Sequence, residues 1–300
     1  MYGGLRSDAP IDRAFRGAAR RWYRFPVPEF PEIEALVRRL RPAIVGRKIR
    51  NARTMNPAVL KTVDPPLSAL TGQEVIDVHR RAKYVALEAA PELFLVVHLA
   101  KAGSLRHGTF GGAAPKPLAL AVAFDDGTQI RLLEQGHKKR AAVWVVRSMQ
   151  DVARIEALGP EAVDVSREEL AERLAGAGRR GLKPVLTDQR VIAGIGGAYS
   201  DEIAFAARLA PNARVDRLTP EEIDRLHGVI APLLREALAV LEKNPKADPC
   251  RIHGHAGEPC PVCGAPLAGV FYEETTMVYC ATCQTGGKVL ADRKTSAFLK

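Results

Sequence analysis

Two cysteine pairs near the C-terminus, Cys260-Pro-Val-Cys263 and Cys280-Ala-Thr-Cys283, constrain this chain more than any other feature. They are separated by sixteen residues, a spacing typical of metal sites. Four thiolates close a tetrahedral shell around one zinc ion and leave no open position, so a zinc held here is structural rather than catalytic. The runs Gly269-Val-Phe-Tyr and Met277-Val-Tyr, broken at Glu274-Thr275, predict a β-hairpin between the pairs. So short a hairpin buries no core of its own, and the metal supplies its folding energy.

The 300 residues suit two or three domains. A net charge of +10 favours an anionic partner, with nucleic acid foremost. Cys250 is left over from the four paired cysteines, and such usage fits a reducing compartment rather than a disulfide scaffold. No apolar run approaches the length of a membrane span. Residues 1–27 carry six arginines and two aspartates with no apolar stretch, so they are not a secretory signal. They read as a basic extension, either a flexible tail or the product of a start site assigned too far upstream.

Apolar residues Ile33, Leu36, Val37, Leu40 and Ile44 recur at helical spacing and stop at Gly46. Seven β-rich runs follow, Lys48–Arg53, Glu74–Arg80, Tyr84–Glu88, Leu93–Leu99, Leu118–Phe124, Gln129–Leu133 and Ala142–Val146, a pattern that predicts a sandwich or barrel. Helices are predicted over Asp151–Leu158, Ser166–Ala175, Pro184–Ile192, Ala198–Arg208 and Pro220–Lys243. Ser166 with Glu169 is a capping-box pattern. Thr219-Pro220-Glu221-Glu222 is a strong helix start, and Pro232 should kink the helix it opens. The fold class is therefore α+β and multidomain. A helix plus β-sandwich is expected over 28–147, a helical domain over 148–247 and a zinc-finger hairpin over 248–300.

The segment Pro28-Glu29-Phe30-Pro31-Glu32-Ile33-Glu34 resembles the start of the bacterial Fpg/Nei DNA glycosylases, the formamidopyrimidine-DNA glycosylase and endonuclease VIII group. Arg80-Arg81-Ala82-Lys83-Tyr84 resembles that family's RRAKY strand, and His98-Leu99-Ala100-Lys101-Ala102-Gly103-Ser104-Leu105 its HLGMSGSL loop. Leu182-Lys183-Pro184 and Gly194–Glu202 resemble its helix–two-turn–helix segment, and Gly257-Glu258-Pro259-Cys260 opens the finger in the same way. The collinear motifs span residues 28–300. They imply base-excision repair of oxidised bases in double-stranded DNA by a monomeric enzyme of the bacterial cytoplasm.

The resemblance implies a catalytic role for Pro28, Glu29 and Lys83. A proline at a chain's N-terminus is a secondary amine able to form an iminium with a sugar C1′. Glu29 then acts as general acid on the opening deoxyribose. Lys83 donates a proton during elimination of the 3′ phosphate or pairs with it, and Glu32 and Glu202 line the site or hold Lys83. An internal proline is a tertiary amide and lacks this nucleophile, so the expectation is a translation start at Val27 that leaves Pro28 first after processing. DNA contacts are expected from Lys101, Lys138, Lys139, Arg140, Lys183, Gly197 and Tyr199, because helix N-termini and clustered N–H groups hold phosphate. Lys288, Arg293 and Lys294 add a basic end that either touches phosphate or is simply solvated.

Several positions depart from the family pattern. Lys101 stands where a methionine fills the gap left by a flipped base, and Gly197 where an asparagine is usual. Thr275 replaces a hairpin arginine and cannot donate a proton in a second, δ elimination. Glu134-Gln135-Gly136-His137-Lys138-Lys139-Arg140 replaces the Asp-Pro-Arg-Arg-Phe-Gly loop. These changes describe a divergent branch and leave the preferred lesion open. Two readings follow: a glycosylase with abasic-site lyase activity dominated by β-elimination, or a non-catalytic protein on the same scaffold that recognises abasic or distorted DNA.

Overall fold

A computed structural model describes residues 28–111, 117–135, 139–272 and 275–290. The basic extension 1–27, Lys138, Arg293 and Lys294 lie outside the described residues.

Helix α1 (Phe30–Ile44) begins at an N-cap capping box formed by Glu29 and Glu32. Its periodicity serves two cores at once. Ile33, Val37, Leu40 and Ile44 pack into the interior of the sandwich, while Phe30 and Ala35 pack into the helical half. Each fully buried aliphatic side chain of this kind contributes about 1.5–3 kcal/mol, so α1 acts as a shared wedge between the halves.

The sandwich has two four-stranded antiparallel sheets. One is ordered β1 (Ile49–Thr54), β6 (Leu118–Phe124), β7 (Gln129–Glu134), β5 (Gly103–Gly108); the other β2 (Asp77–Arg81), β3 (Tyr84–Ala90), β4 (Leu93–His98), β8 (Ala142–Val146). Strand β5 is absent from the seven runs expected. Its glycine ends and polar Ser104, Arg106 and His107 weaken the alternation that marks a strand. Registers Tyr84↔His98 and His98↔Ala142 bring three connections to one end of the sandwich. They are the Ala82–Lys83 turn, the Leu99–Ala102 turn and the segment around 139–141. Gly103↔Glu134 brings the other sheet to the same end.

The helical half contains α2 (Ala153–Glu156), α3 (Arg167–Gly176), α4 (Leu182–Leu186), α5 (Gly197–Ala206) and α6 (Pro220–Lys243). The Ser166 side chain accepts from the Glu169 amide at the start of α3. Thr219 and Glu222 complete the capping box of α6, which runs through Pro232 as one 24-residue helix. Helix α4 is shorter than the expected Pro184–Ile192. Thr187 turns its hydroxyl back onto the Lys183 carbonyl at 3.0 Å, and the chain leaves the helix. Beyond it, Gly194 adopts φ +101°, which a side chain would strain.

The hairpin β9 (Leu267–Tyr272) and β10 (Thr275–Cys280) leads into the short helix α7 (Ala281–Thr285). Phe205 of α5 packs with Ile252, Leu267 and Val278, joining this unit to the helical half.

Candidate active site

The first turn of α5 meets the start of α1. The Glu29 carboxylate accepts backbone N–H groups from Gly196, from Ala198 at 2.8 Å and from Tyr199 at 3.3 Å. Glu29 is buried. An α-helix N-terminus presents unpaired N–H groups and a positive dipole end, and here they serve a carboxylate of the protein itself. The Phe30 amide donates to the Gly194 carbonyl at 3.0 Å, fixing the approach of the two segments. Gln189 braces the same turn, accepting from the Gly194 amide at 3.0 Å and donating to the Ile195 carbonyl at 2.7 Å.

Lys83 reaches this point from the sandwich. A β-carbon built on Gly196 would lie 2.6 Å from Glu29 Oε1 and 2.7 Å from Lys83 Nζ, so both charged groups crowd one spot. Burial pushes the Lys83 ammonium below the ordinary lysine range, while the charges of Glu29 and Glu32 oppose that shift. Glu32 completes the cluster. Its carboxyl accepts from the Glu29 amide at 2.9 Å and from the Tyr199 hydroxyl at 2.8 Å. Burial, with the adjacent Glu29 charge, raises it to about 7. Pro28 directly precedes this cluster and is partly exposed. Pro28, Glu29 and Lys83, named from sequence, are therefore gathered at one place.

The expected DNA contacts divide. Lys101 is exposed on the turn next to Lys83. Lys139 donates to the Glu134 carbonyl, and the buried Glu134 carboxylate anchors the backbone amides of Arg140 and Ala141. Both basic side chains are exposed at the same end of the sandwich. Gly197 opens α5 with free space where a side chain would stand. Lys183 and Tyr199 differ from expectation. The Lys183 ammonium is enclosed, paired with Asp201 Oδ1 at 2.5 Å and donating to the Gly197 carbonyl at 3.0 Å. Tyr199 is 1 % exposed with its hydroxyl on Glu32. Both groups are thus buried and engaged within the protein.

Sequence reading misses Asp201. Its fully buried carboxylate also accepts from His253 Nδ1 at 2.7 Å and from the Val278 amide at 3.1 Å, tying the helices to the hairpin. Glu202, one residue on, accepts the amides of Ile252 and His253 at 2.9 and 2.8 Å. It therefore holds the linker to the finger rather than Lys83.

The sulfur atoms of Cys260, Cys263, Cys280 and Cys283 lie within 4.8 Å of one another and can hold one metal ion. Cys260–Cys283 and Cys263–Cys280 are 3.9 and 3.4 Å apart. A tetrahedron with Zn–S bonds of about 2.3 Å has edges of roughly 3.8 Å, so the donor set and its size fit zinc. Among the described residues no helix is long and apolar enough to cross a membrane.

Two family profiles match the chain: the formamidopyrimidine-DNA glycosylase N-terminal domain over residues 27–138 and its H2TH domain over 157–246. The formamidopyrimidine-DNA glycosylase of Symbiobacterium thermophilum is 34% identical over 278 residues, covering 86% of this chain and 89% of that protein. An uncharacterized formamidopyrimidine-DNA glycosylase-like protein of Mycobacterium tuberculosis is 46% identical over 151 residues, 48% of this chain and 95% of the relative. Among solved structures, MutM in complex with carbocyclic 8-oxo-G containing DNA superposes with a TM-score of 0.78 at 25% identity, covering 86% of this chain and 100% of that one. Lactococcus lactis Fpg bound to AP-site DNA gives 0.78 at 25% identity, with 86% and 99% covered.

Proposed function

The chain belongs to the formamidopyrimidine-DNA glycosylase family, and from that premise we propose that it excises damaged bases from double-stranded DNA and then nicks the abasic strand. The observation that carries this reading is the meeting of Glu29 and Lys83 above Gly196, beside Pro28. The family match starts at residue 27, in keeping with Pro28 as first residue of the working enzyme.

In the proposed reaction the Pro28 secondary amine attacks C1′ of the damaged nucleotide. The C1′–N bond breaks and the base leaves with its electron pair, taking a proton from water. The Pro28 nitrogen passes its own proton to the Glu29 carboxylate, held by the α5 amides; Glu29 hands it to the ring oxygen as the C1′–O4′ bond breaks, and the opened sugar becomes a Pro28 iminium. Loss of a C2′ proton then expels the 3′ phosphate, and the Lys83 ammonium offsets the charge on that leaving group. Water hydrolyses the iminium and frees Pro28. Lys101, Lys139 and Arg140 supply backbone attraction at the same end of the sandwich. Cys260, Cys263, Cys280 and Cys283 hold a structural zinc that keeps the hairpin folded against α5.

The test is borohydride trapping on a duplex with a central abasic site, using full-length protein and a form beginning at Pro28. The expected result is a covalent band from the form with a free Pro28 amine. No band from either form, with DNA binding intact, overturns the lyase reading and leaves a non-catalytic recogniser of abasic or distorted DNA.

A further inference from the structure

We propose that Glu161 is a positioning residue for the reaction, clamping the Arg80–Ala82 turn so that Lys83 Nζ stays over the Glu29 carboxylate. This rests on the lyase reading above and deepens it.

Glu161 sits in the segment between sandwich and helices and is largely buried. Its carboxylate is shared by three donors of one turn. Oε2 takes Arg80 Nη1 at 2.6 Å; Oε1 takes Arg81 Nη1 at 2.7 Å and the Ala82 amide at 2.7 Å. Ala82 adopts φ +50°, a left-handed conformation that a non-glycine residue holds only when its surroundings impose it. The Glu161 carboxylate supplies that constraint at the residue immediately before Lys83. Arg81 adds a second tie, donating to the Gly159 carbonyl at 2.8 Å. Arg80 adds a third, since its Nε bonds Glu34 of α1 at 2.8 Å and its guanidinium lies 4.5 Å from the centre of the Phe30 ring.

The backbone of Glu161 faces the other half of the site. It bridges Ala193, with Ala162 N to Ala193 O at 2.9 Å and Ala193 N to Pro160 O at 2.8 Å. That paired stretch continues through Gly194 into Gly196, whose amide binds Glu29. Glu161 is thus bonded through its side chain to the turn carrying Lys83, while its neighbours Pro160 and Ala162 bond the segment that leads to the Glu29 cradle. Glu29 caps α1 and Lys83 lies between β2 and β3, and Glu161 fixes the distance between them. Misplacing a catalytic group by about 1 Å costs on the order of 10²-fold in rate, and that is the loss expected when the clamp is removed.

The test compares Glu161→Gln with the parent. Glutamine keeps an acceptor for the Ala82 amide but loses both charge pairs. Arg81→Lys is the second variant, keeping charge while being unable to span Glu161 and Gly159. Two readouts are taken. The first is the single-turnover rate of strand nicking on an abasic-site duplex, in the form of the protein that traps, alongside affinity for undamaged duplex. The second is the Lys83 signal in 13Cε-lysine-labelled full-length protein, assigned by its loss in Lys83→Arg and followed through a pH titration. The expected result is a nicking rate lowered on the order of 10²-fold with duplex affinity unchanged, and a Lys83 titration moved upward toward the ordinary lysine range. In a Lys83→Ala background, Glu161→Gln should slow the reaction no further, because it acts through Lys83. An unmoved Lys83 signal in both variants, or an equal further slowing without Lys83, overturns the proposal. If the parent forms no adduct, the lyase reading fails, and the Lys83 titration still decides the role of Glu161.

Discussion

Gly196 lies so close beneath Glu29 that a β-carbon there would sit 2.5 Å from the Glu29 Cδ. The glycine's φ is negative, so space and not backbone conformation excludes a side chain. Gly196→Ala must displace Glu29, Lys83 or both. We expect adduct formation to fall on the order of 10²-fold or more while duplex affinity changes little. Single-turnover trapping and a binding titration run in parallel check this.

Asp201 is the buried hub for Lys183, His253 and the Val278 amide. Asp201→Asn would leave the enclosed Lys183 ammonium without its counter-charge, and breaking one partner of such a pair costs about 3–5 kcal/mol. Thermal denaturation should show a clear fall in Tm. A variant as stable as the parent would mean that the pair is dispensable.

Glu32 gives a pH signature. Its carboxyl is raised to about 7 in the folded protein from an ordinary 4.5, by burial first and by the Glu29 charge second. A raised folded-state value means that the proton favours the native state. That contribution is complete below about pH 4.5 and is lost as pH rises toward 7. Parent stability should therefore fall across that window relative to Glu32→Gln, which has no proton to lose. Denaturant titrations of both proteins at several pH values measure the difference; parallel curves would contradict it.

The four-cysteine site should carry one zinc per chain. Chelation, or Cys280→Ser, should release the hairpin from α5 and weaken DNA binding, because the finger's few buried side chains cannot fold it alone. Metal analysis with salt-controlled binding assays tests this; full affinity in metal-free protein would argue against it.

Thr275 opens β10, where a hydroxyl offers no strong proton donor. Products of the nicking reaction should end mostly in the 3′-unsaturated aldehyde of β-elimination. A sequencing gel dominated by 3′-phosphate ends would show that another donor completes the second elimination.

Local features read well from sequence. The start of α6 follows from Thr219-Pro220-Glu221-Glu222, because a cap and its reciprocal glutamate lie within four residues. Strands Leu118–Phe124 and Ala142–Val146 stand out as apolar runs between turn signals, and both are observed with those bounds. Helix α4 is overestimated, since nothing local announces that Thr187 folds back on it.

Sequence by itself determined the four-cysteine cluster, the sandwich-plus-helices-plus-hairpin order and the family to which the chain belongs. Each rests on spacing or on short motifs whose meaning does not depend on distant residues. Only the tertiary structure decided the fate of the charged and polar groups. Lys183 is buried because Asp201 meets it inside the helical half; Tyr199 turns inward because Glu32 arrives from α1; Glu161 controls the Lys83 turn from a remote segment. Whether an ionisable side chain faces solvent or is desolvated and paired depends on which remote element covers it, and that information exists only once the chain has folded.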